Sequence, residues 1–257
     1  DLLPFNDYLQ LLSKTINQVQ HTPGRLLHSL AQASFEAWNK YYRPDSNTQN
    51  ITVSYYTKGA LLACCLDLAI RQSSIATLDD VMRELYALCY QQGRGMTEAD
   101  VLEVVRTVAD DTVAQRLQRW IHDTEDLPLL AALQALPQIK DQPTPAPLEQ
   151  QWGLRCKEGD SIRISHVLRD SAAEAAGMAA GDEWYGIELA NSPEGWRIGT
   201  LAEVERVLPA QSQQQGDALV NRDRRLLRLP IQALGEPQQQ VALQATPFVD
   251  HGDWPWK

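Results

Sequence analysis

Apolar positions along the chain change their spacing once. From the start to about residue 137 they recur at helical intervals, one face at a time. Tyr8, Leu9, Leu12, Ile16 and Val19 share a face, and Asn6 is placed to cap that first helix. The stretch HTPGR breaks the chain at Pro23 and Gly24. A second helix is expected to carry Leu26, Leu27, Leu30, Ala33, Phe35 and Trp38, followed by a polar loop over 43–50. The run at 54–72 is apolar nearly all round and reads as a core helix. Thr77 with Asp80, and Thr97 with Asp100, form variants of the capping box before two further amphipathic runs. Val113, Leu117 and Trp120 mark a sixth helix, and LPLLAALQAL a short seventh. Short connections between them suit a bundle or a curved helical array.

After residue 137 the period falls to two. SIRISHVL, EWYGIEL, DALVN, RLLRLPI and QQVALQA read as strands, with NRDR (221–224) as a hairpin loop and TLAEVERVL (200–208) as the clear helix. The expected fold class is therefore α+β and multidomain. An all-α region over 1–137 leads through a Pro-rich linker, 138–151, into a small β-rich domain over 152–246. A tail over 247–257, with Trp254 and Trp256, is expected to dock on the body.

A chain of 257 residues has room for one or two domains, and 44 % apolar residues can fill their cores. A net charge of −10 and the lack of any basic run argue against nucleic acid and against an anionic membrane as partners. The longest apolar run, Gly59–Ile70, falls short of the ~20 residues that span a bilayer. The chain opens on Asp1 directly before an amphipathic helix, which reads as a piece of something longer. A cytoplasmic location is the expectation. The periplasm stays open because the N-terminus reads as truncated.

Candidate chemistry is sparse. Cys64, Cys65, Cys89 and Cys156 include no C-x-x-C pair and read as small core hydrophobes. No His is followed by Glu, and no two of His21, His28, His122, His166 and His251 lie four apart, so no metal site can be built from the chain. His28 and His122 read as ordinary helix residues, His166 as a packing residue on a strand. No G-x-S-x-G elbow and no phosphate-binding glycine loop occurs. Asp79-Asp80, Asp110-Asp111 and Asp123–Asp126 fall at helix ends, where they meet the macrodipole.

Two local patterns say more. In VLRDSAAEAAGMAAGDEW (167–184) a strand ends at Leu168, a short helix follows, and Gly177 closes it before the Gly181-Asp182 turn. The triplets Ser171-Ala172-Ala173 and Ala176-Gly177-Met178, with Gly181-Asp182, resemble the PDZ domain family. That resemblance implies either peptide capture at a sheet edge beside a helix, here 200–208, or bracing of a neighbouring domain, as many such domains in proteases do. It also implies a carboxylate-holding loop at Trp152-Gly153-Leu154-Arg155, from which Arg155 departs because the family prefers apolar residues there.

The order PGRLLHSLAQASFEAW, VSYYTKGALLACCLDLAIR, LDDVMRELY, TEADV and DTEDLP resembles the C-terminal half of the glycyl aminopeptidase family of zinc metallopeptidases. Those proteins join a thermolysin-like catalytic domain to a helical region and a PDZ domain. The resemblance implies that Tyr56, in Tyr56-Thr57-Lys58-Gly59, faces the zinc site and donates to the oxyanion, while Tyr55 is structural. Gly59 would let the helix pass close to another backbone. Zinc itself, and its H-E-x-x-H, would belong to the full-length parent; this chain would carry no cofactor and be inactive alone. Its partners would be the missing N-terminal catalytic domain and a peptide or protein substrate. The alternative is a stand-alone PDZ scaffold that recognises peptide C-termini.

Overall fold

A computed structural model describes residues 3–246; the expected tail and its two tryptophans lie outside them. The helical part runs α1 (Phe5–Gln20), a 3-10 turn (Pro23–Leu26), α2 (Leu30–Phe35), α3 (Thr48–Ile51), α4 (Tyr55–Ser73), α5 (Leu78–Gln91), α6 (Glu98–Val108), α7 (Asp111–His122) and α8 (Leu129–Gln134). The rest comprises β1 (Ile139–Asp141), β2 (Thr144–Pro145), α9 (Leu148–Trp152), β3 (Leu154–Lys157), β4 (Ile162–Val167), α10 (Ala172–Ala175) and β5 (Glu183–Leu189). It continues with β6 (Gly195–Arg197), α11 (Leu201–Val207), β7 (Gln215–Arg222), β8 (Arg225–Gln232), β9 (Gln239–Gln240) and β10 (Leu243–Ala245). Helices followed by antiparallel sheets make the fold α+β, as expected.

Helix α4 explains its own composition. Leu61, Cys64, Cys65 and Leu68 pack with α1 and α8, while Leu62, Leu66, Ala69 and Ile70 pack with residues of α5, α6 and α7. A helix buried on two sides has no use for a polar stripe. By length and hydropathy the stretch 48–73 would also pass for a membrane span, yet most of it is buried among these neighbours. The cysteines behave as small hydrophobes: burial pushes the Cys64 thiol up to about 11 and that of Cys65 up to about 12. Asp67, also buried, is held by Arg71 Nε at 2.8 Å and accepts from the Leu78 N–H at 2.8 Å, which ties α4 to the start of α5.

Both capping boxes form. The N–H of Thr77 donates to Asp80 at 2.9 Å and that of Thr97 to Asp100 at 2.8 Å. Other local expectations need correction. Asn6 does not cap α1, which begins at Phe5 behind Pro4. The second helix is shorter than its apolar pattern suggests. It starts at Ser29, whose capping box with Gln32 forms where a hydroxyl competes with continued turn. Leu26, Leu27, Phe35 and Trp38 are therefore exposed and not core residues. His28 is not a helix residue either; it sits buried ahead of α2 with Nδ1 at 2.7 Å from Thr52 Oγ1. Part of the polar loop over 43–50 winds into α3. Gly59 meets only the Leu30 side chain, at 3.9 Å from where a Cβ would stand. The close backbone approach falls at Gly24 instead, where a Cβ would be 2.3 Å from the Thr52 nitrogen.

The largest correction concerns 138–151. This Pro-rich stretch is not a free linker. β1 pairs antiparallel with β10 and β2 with β9, so the far end of the chain returns to the helical part. Helix α1 then acts as the next strand for that end. Asn17 Oδ1 accepts from the Val241 N–H at 2.9 Å and its Nδ2 donates to the Val241 carbonyl at 2.8 Å. Ser13 Oγ accepts from Leu243 N–H at 2.9 Å, and Asn6 Oδ1 from Ala245 N–H at 3.2 Å. Residues 6, 13 and 17 share a helix face, and alternate residues of the strand share an edge, so the two periods mesh. Ile139, Val241 and Leu243 complete the core built by α1, α4 and α8.

The main sheet runs β3-β4-β5-β7-β8, with β6 also paired to β5. The hairpin loop shrinks to Asp223 and Arg224, both left-handed at φ 51° and 66°, the pair of positive values a two-residue turn requires. Trp152 and Trp184 meet edge to face at 5.4 Å in the centre of this core. Gly177 closes α10 as expected: it is left-handed at φ 79°, with its N–H on Glu174 O and the Met178 N–H on Ala173 O. Asp182 is fully enclosed and is held by Arg222 through Nε at 2.6 Å and Nη2 at 2.8 Å.

Candidate functional site

Tyr56 lies in the first turn of α4. Ser54 caps that turn, its Oγ accepting from the Thr57 N–H at 3.4 Å. At helical spacing, residues 56 and 58 point roughly oppositely, and the structure shows it. Tyr56 is 58 % exposed, whereas Lys58 is 3 % exposed. Lys58 Nζ reaches the Arg25 carbonyl at 3.4 Å, and burial pushes its ammonium below the usual lysine range. Lys58 thus anchors the helix start from below while Tyr56 stands on the open face.

Around Tyr56 sits a group of aromatics. The Tyr55 ring lies 4.1 Å from it at 31°, and the Tyr41 ring 6.2 Å. Trp38 lies 5.0 Å from Tyr42. The turn that follows α2 supplies Tyr42, held by its N–H on the Ala37 carbonyl at 2.9 Å. Tyr42 Oη is 3.0 Å from both Tyr55 Oη and Tyr56 Oη. Tyr55 is half-buried against the α1–α4 core. Hydrogen bonds from Tyr42 and then Tyr55 hold the Tyr56 hydroxyl below the usual phenol range. Such a phenol is a strong donor toward a partial negative charge. Tyr42 is the residue that sequence reasoning missed. Its contact joins two segments separated by a loop, and only the adjacent aromatics WNKYY hinted at it.

The structure brings the residues of the second candidate, 152–155, together at the edge of the main sheet. Trp152 ends α9 and is buried, and Leu154 is buried in β3. Gly153 is left-handed at φ 68°, and a Cβ there would stand 2.2 Å from Ser171 Cβ. Its N–H is taken by the Gln150 carbonyl at 3.0 Å. Arg155 faces Glu149 at 3.9 Å. The other Glu149 oxygen accepts from the Cys156 N–H on the same edge strand at 3.0 Å. Two donors at this edge, the Gly153 and Cys156 N–H groups, are therefore engaged from within the chain by α9.

Among the described residues no group of three or more His, Cys, Asp or Glu could hold a metal ion. His122 pairs with Glu98 at 2.7 Å, and His166 Nδ1 lies 3.0 Å from Ser165 Oγ.

Comparison with known proteins points to peptidases. Residues 2–62 match the M61 glycyl aminopeptidase family. A solved structure described as an aminopeptidase N family protein from Idiomarina loihiensis is similar over 95 % of this chain, at 26 % identity and a TM-score of 0.82. This chain spans 43 % of that one. No curated protein matches. The family match over residues 2–62 and the structural neighbour both agree with the resemblance read from the sequence.

Proposed function

We propose that this chain is the non-catalytic C-terminal part of a zinc-dependent aminopeptidase that removes small N-terminal residues. Its helical part lines one wall of the substrate cleft, and Tyr56 donates from that wall to the oxyanion of the tetrahedral intermediate. The observation that carries this reading is the position of Tyr56, exposed and with its hydroxyl 3.0 Å from that of Tyr42. Among the described residues no ligand set fits the zinc that the family implies, which would be held by the N-terminal catalytic domain. Partners are the N-terminal catalytic domain and a peptide substrate. The test is Tyr56→Phe in the full-length protein. Turnover should slow by one to two orders of magnitude, the scale of one oxyanion donor. Unchanged turnover would return Tyr56 to packing.

The β-rich part we read as PDZ-like. Support comes from the Gly177 helix closure and from the order of β4, α10, β5 and α11. Because Glu149 and Gln150 already occupy donors at its edge, it braces the helical part and does not capture peptides. A C-terminal peptide array against the chain should give no selective signal. Sequence-selective binding that is lost on blocking Gly153 and Leu154 would favour the scaffold reading.

A further inference from the structure

Three phenols at the head of α4 share one hydrogen-bonded chain, and its direction can be worked out. Tyr42 Oη stands 3.0 Å from Tyr55 Oη and 3.0 Å from Tyr56 Oη. A phenol has a single proton to give. Tyr42 therefore donates to at most one neighbour. Two orders keep its proton within the chain: Tyr55 to Tyr42 to Tyr56, or the reverse.

The surroundings choose between them. Tyr55 is half-buried on the α1–α4 core, and its proton has Tyr42 within reach. Tyr56 is more than half exposed, with its hydroxyl at the rim of the aromatic group. In the forward order each inner proton is used and the Tyr56 proton stays free for whatever occupies the open face. In the reverse order the Tyr56 proton is turned inward and the half-buried Tyr55 proton is left over. Proton affinities follow the forward order. The hydrogen bond with Tyr42 is the largest cause that pushes Tyr55 above the ordinary phenol range, as for a donor that keeps its proton. The hydrogen bond with Tyr42 is also the largest cause that holds Tyr56 below it, as for an acceptor. The groups acting on the Tyr56 hydroxyl come from two segments. Tyr55 is on its own helix; Tyr42 is on the turn after α2, where the Tyr41 ring also faces it.

We propose that Tyr42 is a positioning residue: it receives a hydrogen bond from Tyr55 and passes one to Tyr56, so that Tyr56 presents a polarised, outward O–H to the oxyanion. This rests on the cleft-wall reading of Tyr56. No bond is made or broken within the relay; successive hydrogen bonds polarise one another. A deletion of the Tyr42 hydroxyl removes the inner partner of Tyr56 and leaves the ring, with its contacts to Trp38 and Tyr41, in place.

The first test needs no catalysis. Tyrosinate absorbance is titrated on this chain and on Tyr42→Phe, Tyr55→Phe and Tyr56→Phe, with circular dichroism confirming the fold. The wild type should show one phenol ionising below the ordinary range. Tyr56→Phe should abolish that early component, Tyr42→Phe should move it up into the ordinary range, and Tyr55→Phe should move it less. An early component that survives Tyr42→Phe unmoved would overturn the relay. The second test is kinetic, in the full-length enzyme. Tyr42→Phe should lower kcat roughly fivefold with KM unchanged, about one net hydrogen bond, and raise the alkaline limb of the pH profile. If the titrations follow the relay but Tyr56→Phe leaves turnover intact, the oxyanion reading fails while the relay stands. If Tyr42→Phe moves neither the titration nor the alkaline limb, the relay itself is wrong.

Discussion

Asn50 docks its side-chain amide on Val167 as a neighbouring strand would. Nδ2 donates to the Val167 carbonyl at 2.9 Å, and Oδ1 accepts from the Arg169 N–H at 2.9 Å. The amide is buried and joins the helical part to the main sheet. Asn50→Ala removes both bonds and leaves backbone groups without partners. The expected loss is about 2 kcal/mol. In urea, tryptophan fluorescence and far-ultraviolet dichroism should then separate into two transitions. A single transition at the wild-type midpoint would show that the amide carries no coupling.

Among the described residues Arg222 is the side-chain partner of the enclosed Asp182 carboxylate, which also accepts from the Ala179 N–H at 2.8 Å. Arg222→Ala strands that charge, and removing one partner of a buried pair typically costs about 3 kcal/mol or more. Arg222→Lys should recover only part, because an ammonium cannot reproduce the two-pronged contact. Equal stability of the lysine variant and wild type in a denaturant melt would contradict this account.

Two glycines should respond with opposite sign. Gly24→Ala drives a methyl into the Thr52 backbone at 2.3 Å and should be strongly destabilising. Gly59→Ala, inside α4 with its nearest neighbour at 3.9 Å, should stabilise by roughly 0.5–1 kcal/mol. Thermal melts of the pair decide, and a destabilised Gly59→Ala would restore the close-approach role that the sequence suggested.

Burial pushes the His28 imidazole below its ordinary value, against a weaker opposite pull from Glu36. The unfolded state therefore takes up its proton first. The stabilising contribution is complete above about pH 6.5 and is lost as pH falls through the lower folded value. His21 is lowered too, again chiefly by burial, so it adds to the same slope. Urea midpoints should decline between pH 7 and pH 5. His28→Gln should flatten that decline, and an unchanged slope would assign it to His21.

What local chemistry dictates was legible in the residues. Two capping boxes, the Gly177 closure and the all-round apolar α4 follow from contacts within a few positions, and hydrophobic period alone separated helices from strands. Tyr56 could be singled out only through the family pattern. Contacts between distant positions decided the rest. Proline-rich 138–151 looks like a linker because its partners, 239–245, lie a hundred residues on. Asn6 looks like a cap because its true acceptor role is set by Ala245. Phe35 and Trp38 have core-like spacing but are exposed among the described residues, where no element folds over them. Tyr42, spaced from Tyr56 by an intervening loop, acquires its meaning only when α2 and α4 meet. Spacing along a chain records which faces can be buried; which surfaces find each other is settled by closure of the whole chain, and local sequence carries little of that information.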